Sequence, residues 1–239
     1  MTLAALKRRS KDALKQLLDS TVSAVAGTVT HVETTAPIVA LTFDDGPDPV
    51  YTPRLLDILA AHKAKATFFM VGQNAARHSQ IVARVSMEGH AIGNHSWDHQ
   101  TFPDLDSRAR LKQLADCQRA LGPQGLRLFR PPKGMQNLAS RWDVLRAGYQ
   151  VVAWNMGAED WLDRDAGWMA ERLIARLKPG SIICLHDALE GVTREGAKDR
   201  SRTLEAVDKL LQATSSQYQF VTVPELMARG RVYRANWVM

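Results

Sequence analysis

His95 and His99 stand four residues apart, a spacing that puts two imidazoles on one face of a helical turn, where both can reach one metal ion. A carboxylate would complete a set of two imidazoles and one carboxylate that leaves positions open for water and substrate, and Asp44 and Asp45 offer two to choose from. Zinc suits these donors; cobalt, nickel and iron accept them too. On a regular strand adjacent carboxylates face opposite sides, but Gly46 and Pro47 interrupt the strand so that both can enter one pocket. One can then ligate while the other takes a proton from metal-activated water as general base. Asp-Asp-Gly-Pro is also ordinary turn chemistry, so the pair carries weight only beside its partners. His186 ends the apolar run Ser-Ile-Ile-Cys-Leu-His and is the candidate general acid, with Asp160 or Asp187 to raise its pKa. Arg130, fixed ahead of two prolines, can orient or pair with a catalytic carboxylate.

These residues fall at or just after short apolar runs. The runs read as strands at 38–43, 66–71, 91–94, 128–130, 149–154, 181–185 and 219–223. They alternate with helical stretches near 52–62, 75–88, 106–121, 137–147, 166–177, 203–213 and 224–229. Such alternation predicts an α/β fold with mostly parallel strands and outer helices, as an open sheet or a barrel. No Gly-rich dinucleotide fingerprint follows the first strand, which disfavours a dinucleotide fold. Reactive residues gathered after strands belong to the face where α/β barrels build their sites.

The 239 residues, 45% of them hydrophobic, suffice for one large domain with a substantial core. Two cysteines exclude a disulfide scaffold, and both read as free thiols. No apolar run reaches the roughly 20 residues of a membrane-spanning helix. The net charge of +6 is concentrated: residues 107–147 hold nine Lys or Arg against two Asp. Residues 1–20 hold five cations against two anions. The N-terminal stretch lacks a convincing signal peptide, since Asp12, Lys15 and Asp19 interrupt its apolar region. It reads as an amphipathic helix within an extension over 1–36, ahead of a catalytic domain over 37–239. Residues 1–25 could contact a membrane surface peripherally. The expected location is the cytoplasm or the inner membrane face. The basic segment contains no nucleic-acid-binding motif, so no nucleic-acid partner is expected, and the oligomeric state stays open.

The motifs Thr42-Phe43-Asp44-Asp45-Gly46-Pro47, His95-Ser96-Trp97-Asp98-His99, Arg130-Pro131-Pro132-Lys133-Gly134, Asp160-Trp161 and Leu185-His186-Asp187 occur in this order. With them the chain resembles the polysaccharide deacetylase family, the NodB-homology domain of carbohydrate esterase family 4, over about residues 37–226. The resemblance implies an incomplete or distorted (β/α)7 barrel and metal-dependent removal of N-acetyl groups from amino sugars of a poly- or oligosaccharide. It implies Asp44 as catalytic base, Asp45, His95 and His99 as metal ligands, Arg130 as the residue positioning the base, and Asp160 as the partner of the acid His186. It also implies a backbone N–H of the third motif as oxyanion donor. Pro131, Lys133, Trp161, Cys184 and Leu185 are expected to line the substrate site. Lys133 replaces the family's usual aromatic and could meet a carboxylate or phosphate, so an anionic substrate is expected. Cys184 replaces a usual apolar residue and could alter the acyl pocket. A deformylase or amidase acting on a lipid-linked sugar is the alternative activity, and a non-catalytic carbohydrate-binding relative a further one.

Overall fold

The computed structural model describes residues 27–162, 164–192 and 198–237. The helix expected within residues 1–25 lies outside them. Strand β1 (Thr28–Glu33) opens the described chain, followed by β2 (Ile38–Asp44), β3 (Ala66–Met70), β4 (Ala91–Asn94) and β5 (Gly125–Phe129). Then come β6 (Gln150–Val151), β7 (Met156–Gly157), β8 (Ile182–His186), β9 (Gln219–Phe220) and β10 (Arg231–Ala235). Seven of these pair in parallel in the order β6-β5-β4-β3-β2-β8-β7, and β9 adds to the start of β2. The sheet curls, and β6 and β7 do not pair with each other, so the barrel is distorted and incomplete, as expected.

Alternation along each strand sorts the residues onto two faces. Val39, Leu41 and Phe43 of β2, Ala66, Phe68 and Met70 of β3, and Ile183 and Leu185 of β8 form one buried cluster with the outer helices. Ala40, Phe69, Leu128, Val152 and Ile182 fill the barrel interior instead. Thr42, Asp44, Cys184 and His186 share that inward register. Asp44 and His186 are register partners on hydrogen-bonded strands, which sets their backbones about 5 Å apart.

The helices bury apolar stripes and carry recognisable caps. In α1 (Tyr51–Ala61), Leu55, Leu56 and Leu59 face the sheet. The helix expected over 75–88 is two, α2 (Gly72–Arg77) and α3 (Ser79–Met87), because His78 between them leaves helical geometry. Asp106 caps α4 (Ser107–Leu121) by accepting from the Ala109 N–H. Asn137 and Ser140 form a capping box on α5 (Leu138–Arg146). Asp165 caps α6 (Ala166–Ile174), α7 (Ser201–Thr214) packs on it, and Thr222 caps α8 (Val223–Met227).

Four strands differ from the sequence reading. The run over 149–154 is only the two-residue β6, and a separate β7 follows it. β1 lies inside the stretch assigned to the extension, yet it pairs antiparallel with β10, which was not read as a strand. β1 also bridges Val29 to Val152, just after the edge strand β6, and His31 to Ser181, just before β8. Val29 and Val32 are buried there in the interior cluster. Residues 28–33 thus belong to the barrel, because the edge of an incomplete barrel exposes backbone and apolar surface that some strand must cover. The docking depends on Gly180, which has a φ of +79° and accepts from the Val32 N–H at 2.9 Å. A Cβ there would sit 1.7 Å from the Val32 carbonyl oxygen. Gly180→Ala is therefore expected to destabilise the fold by about 2 kcal/mol or more. An unchanged urea midpoint would show that β1 does not need this approach.

Candidate active site

The inward-facing strand ends meet in a cleft of about 380 Å³, lined by Asp44, Asp45, His95, His99, Lys133, Trp161 and His186 together with Gly134, Trp154, Leu189, Glu190 and Val192. The first seven are site residues expected from sequence. Arg130 and Asp160, fully or almost fully buried, stand behind the lining. Pro131, Cys184 and Leu185 do not line it. Leu185 occupies the opposite face of β8 and packs with the outer helices, a one-residue parity effect that motif adjacency hides. Cys184 lies under Asp44, its thiol 3.5 Å from Oδ2. Burial and the neighbouring Asp44 push that thiol well above the ordinary range, so it stays a protonated donor. Pro131 is buried in the turn that follows β5.

Asp45, rather than Asp44, sits between the two imidazoles. Its Oδ1 lies 3.3 Å from His95 Nε2 and 3.2 Å from His99 Nε2. The His95 Nδ1 is 2.7 Å from the Arg130 carbonyl oxygen. A carbonyl can only accept, so Nδ1 carries the proton and Nε2 presents a lone pair. Burial drags the His99 imidazole down to about 4 against the pull of Asp45, which keeps it neutral. Asp45 Oδ1 is buried without a hydrogen-bond partner, while Oδ2 accepts the Glu190 N–H at 2.9 Å. One orphaned carboxylate oxygen facing an imidazole lone pair and a second neutral imidazole is a donor set that fits a divalent cation.

The histidine loop is not the helical turn that the four-residue spacing suggested. Residues 95–100 form no helix, and Ser96 and His99 have positive φ values of 68° and 61°. Side chains hold this shape. Asn94 Oδ1 accepts the Ser96 N–H, Ser96 Oγ accepts the His99 N–H, and Gln113 Oε1 accepts the N–H groups of Trp97 and Asp98. Asp45 and Lys133 also have positive φ, at 74° and 58°. Non-glycine residues in that region cost roughly 1–3 kcal/mol where the surroundings impose it, and such strain gathers at functional sites.

Arg130 binds Asp44. Its Nη1 donates to Asp44 Oδ1 at 2.7 Å and to Thr42 Oγ1 at 2.6 Å. Its Nη2 donates to the Ala153 carbonyl, and its guanidinium covers the Phe69 ring. Asp44 Oδ1 is thereby occupied, and Oδ2 is the oxygen facing His95. The sequence left Asp160 and Asp187 as alternative partners for His186. Asp160 holds it, accepting from Nδ1 at 2.9 Å and from the His186 backbone N–H at 2.8 Å. Asp187 instead accepts from Thr52 Oγ1 and lies against Gly46, where a Cβ would meet its Oδ2 at 2.3 Å. Burial lowers the His186 pKa, but the Asp160 carboxylate outweighs it and carries the group to about 9.

Several positioning residues escaped the sequence reading. Arg200 Nη1 donates to the Asp160 carbonyl at 2.7 Å. Asn74 Nδ2 donates to the Asp45 carbonyl and to Glu190 Oε1. Trp154 lines the cleft over Gly134, and its strand-terminal position was the available signal. Arg200 and Asn74 sit on other elements, and no local pattern ties them to the site.

The family model described as polysaccharide deacetylase matches residues 31–152. A peptidoglycan-N-acetylglucosamine deacetylase of Bacillus cereus is 38% identical over 195 residues, covering 80% of this chain and 88% of that one. A chitooligosaccharide deacetylase of Sinorhizobium fredii is 35% identical, covering 78% and 89%. The structure of peptidoglycan deacetylase PdaC from Bacillus subtilis superposes with a TM-score of 0.72 at 32% identity, covering 82% and 93%.

The His186–Asp160 pair has a definite pH signature. With a folded pKa near 9 against an ordinary 6.5, its stabilisation is complete below pH 6.5 and fades as pH rises through about 9. Asp160→Asn removes the main group that opposes burial and leaves only Asp45 and Asp44 to raise His186, so its pKa should fall well below 9 in an NMR titration of the metal-free protein. A value remaining near 9 would mean that another group holds the proton.

Proposed function

The chain belongs to the polysaccharide deacetylase family, and on that premise we propose how its residues remove N-acetyl groups from amino sugars of a poly- or oligosaccharide. One observation carries the reading. The register pair Asp44 and His186 places a base and an acid on adjacent inward positions, beside an Asp45–His95–His99 set that can hold a cation. The family is divalent-metal dependent, and two imidazoles with one carboxylate make zinc the metal of choice. A divalent cation held by these three residues supplies Lewis acidity for the acetamide oxygen and for water.

The protein's own groups do the rest. Arg130 fixes Asp44 Oδ1, so Oδ2 takes the proton as a water oxygen adds to the acetamide carbon. The developing oxyanion needs a preorganised donor. The Lys133 N–H fits that need, because Gly134 and Met135 spend their own N–H groups on Pro131 and Pro132. His186 has Nδ1 committed to Asp160, which leaves Nε2–H to protonate the departing nitrogen. The C–N bond breaks, giving acetate and a free amine. Trp154 and Trp161 offer apolar faces for sugar rings beside this centre.

The expected result is acetate release from an N-acetylglucosamine oligomer, abolished by chelation and restored by zinc. Asp44→Asn should lower kcat by about 10²–10⁴-fold while the protein keeps its metal, as loss of a general base requires. His95→Ala should lose both metal and turnover. Full activity in the presence of chelator, or of Asp44→Asn, would sink the mechanism.

A further inference from the structure

Lys133 is the only Lys or Arg lining the cleft among the described residues. The segment 107–147 is strongly basic, but much of that charge is used internally. Arg110 is buried against Asp143, Arg130 against Asp44, and Arg141 donates to Asn236 and to the Trp237 carbonyl. Lys112 and Arg119 share Asp116. Lys133 by contrast is exposed, and no described carboxylate pairs with its ammonium. Its backbone is nonetheless firmly placed. It follows Pro131 and Pro132 in a left-handed conformation, and the next residue, Gly134, is tied to Trp237 Nε1 at 3.0 Å.

The charges facing Lys133 are already engaged. Asp44 is bound by Arg130, Asp45 lies between two histidines, and Glu190 accepts from Asn74. An ammonium on a firmly placed backbone, lining the cleft and with no described partner, is a recognition element for an anion brought by the ligand. Trp154 and Trp161 already supply apolar surface for sugar rings, so the cation adds a different property. We propose that Lys133 is a specificity-determining residue that selects amino sugars carrying an anionic substituent, a carboxylate or a phosphate, near the acetamido group. This rests on the deacetylase reading and names the substrate class within it.

The test compares three tetramers: neutral N-acetylglucosamine, the same backbone bearing lactyl ether carboxylates on alternate rings, and one bearing a terminal phosphate. The zinc-loaded full chain, Lys133→Gln and Lys133→Arg are assayed for kcat/KM by acetate release. The native protein should favour one acidic tetramer over the neutral one by about tenfold, the size of one charge-assisted hydrogen bond. Whichever acidic tetramer is favoured identifies the source of the anion. The ratio should shrink in about 1 M salt, where screening acts within roughly 3 Å. Lys133→Gln should bring the ratio close to one, and Lys133→Arg should keep most of it. No acidic preference in the native protein, or a preference unchanged in Lys133→Gln, overturns the proposal. If no tetramer releases acetate, the deacetylase reading fails separately. Dissociation constants of the same three ligands for Asp44→Asn, with and without Lys133→Gln, then decide the role of Lys133.

Discussion

Arg130 carries two jobs through one backbone position. Its guanidinium holds Asp44 Oδ1, and its own carbonyl oxygen fixes the tautomer of His95. Asp44 and His95 are therefore both oriented by one residue, which follows β5, a strand adjacent to neither β2 nor β8. The arginine is wholly buried, so its charge must be matched inside the barrel. Thr42, Asp44 and the carbonyls of Val152 and Ala153 do this, and the Phe69 ring closes the remaining side. Removing one member of a buried pair strands the other, at a cost of about 3–5 kcal/mol. The catalytic geometry and the integrity of the barrel interior are thus hard to separate.

The second constraint is parity. Asp44 and His186 each face inward from the end of their strand, while the residue before each, Phe43 or Leu185, belongs to the helix-packed layer. Asp44 and His186 reach the same rung because β2 and β8 pair in that register. A slip of one residue would send Phe43 or Leu185 into the cleft and bury the acid among helices. The histidine loop adds what strand parity cannot. Left-handed backbone at Ser96 and His99, held by Asn94 and Gln113, turns the second imidazole back towards Asp45.

Charge follows the same economy. The excess of Lys and Arg over residues 107–147 reads in one dimension as a basic surface. In three dimensions Arg110, Arg130 and Arg141 are buried, and Lys133 is left at the cleft. Net charge is therefore a poor guide to partners unless it is known which cations are already paired.

The reactive residue types and the order of their motifs were legible in the sequence, because a metal site and an acid–base pair require particular side chains at loop positions after strands. The parallel α/β class was legible for a similar reason, since buried strands leave continuous apolar runs. The choice of Asp45 over Asp44 as the residue between the histidines was not visible from spacing alone, nor was that of Asp160 over Asp187 beside His186. Each depends on which way a side chain turns at a strand end. β1 and β10 were missed because their pairing spans almost the whole described chain. Cys184 and Leu185 were read together as lining, yet pleating sends them to opposite faces. The linear chain specifies which groups are present and on which elements. Their distances, tautomers and exposure come from long-range packing, which no local pattern contains.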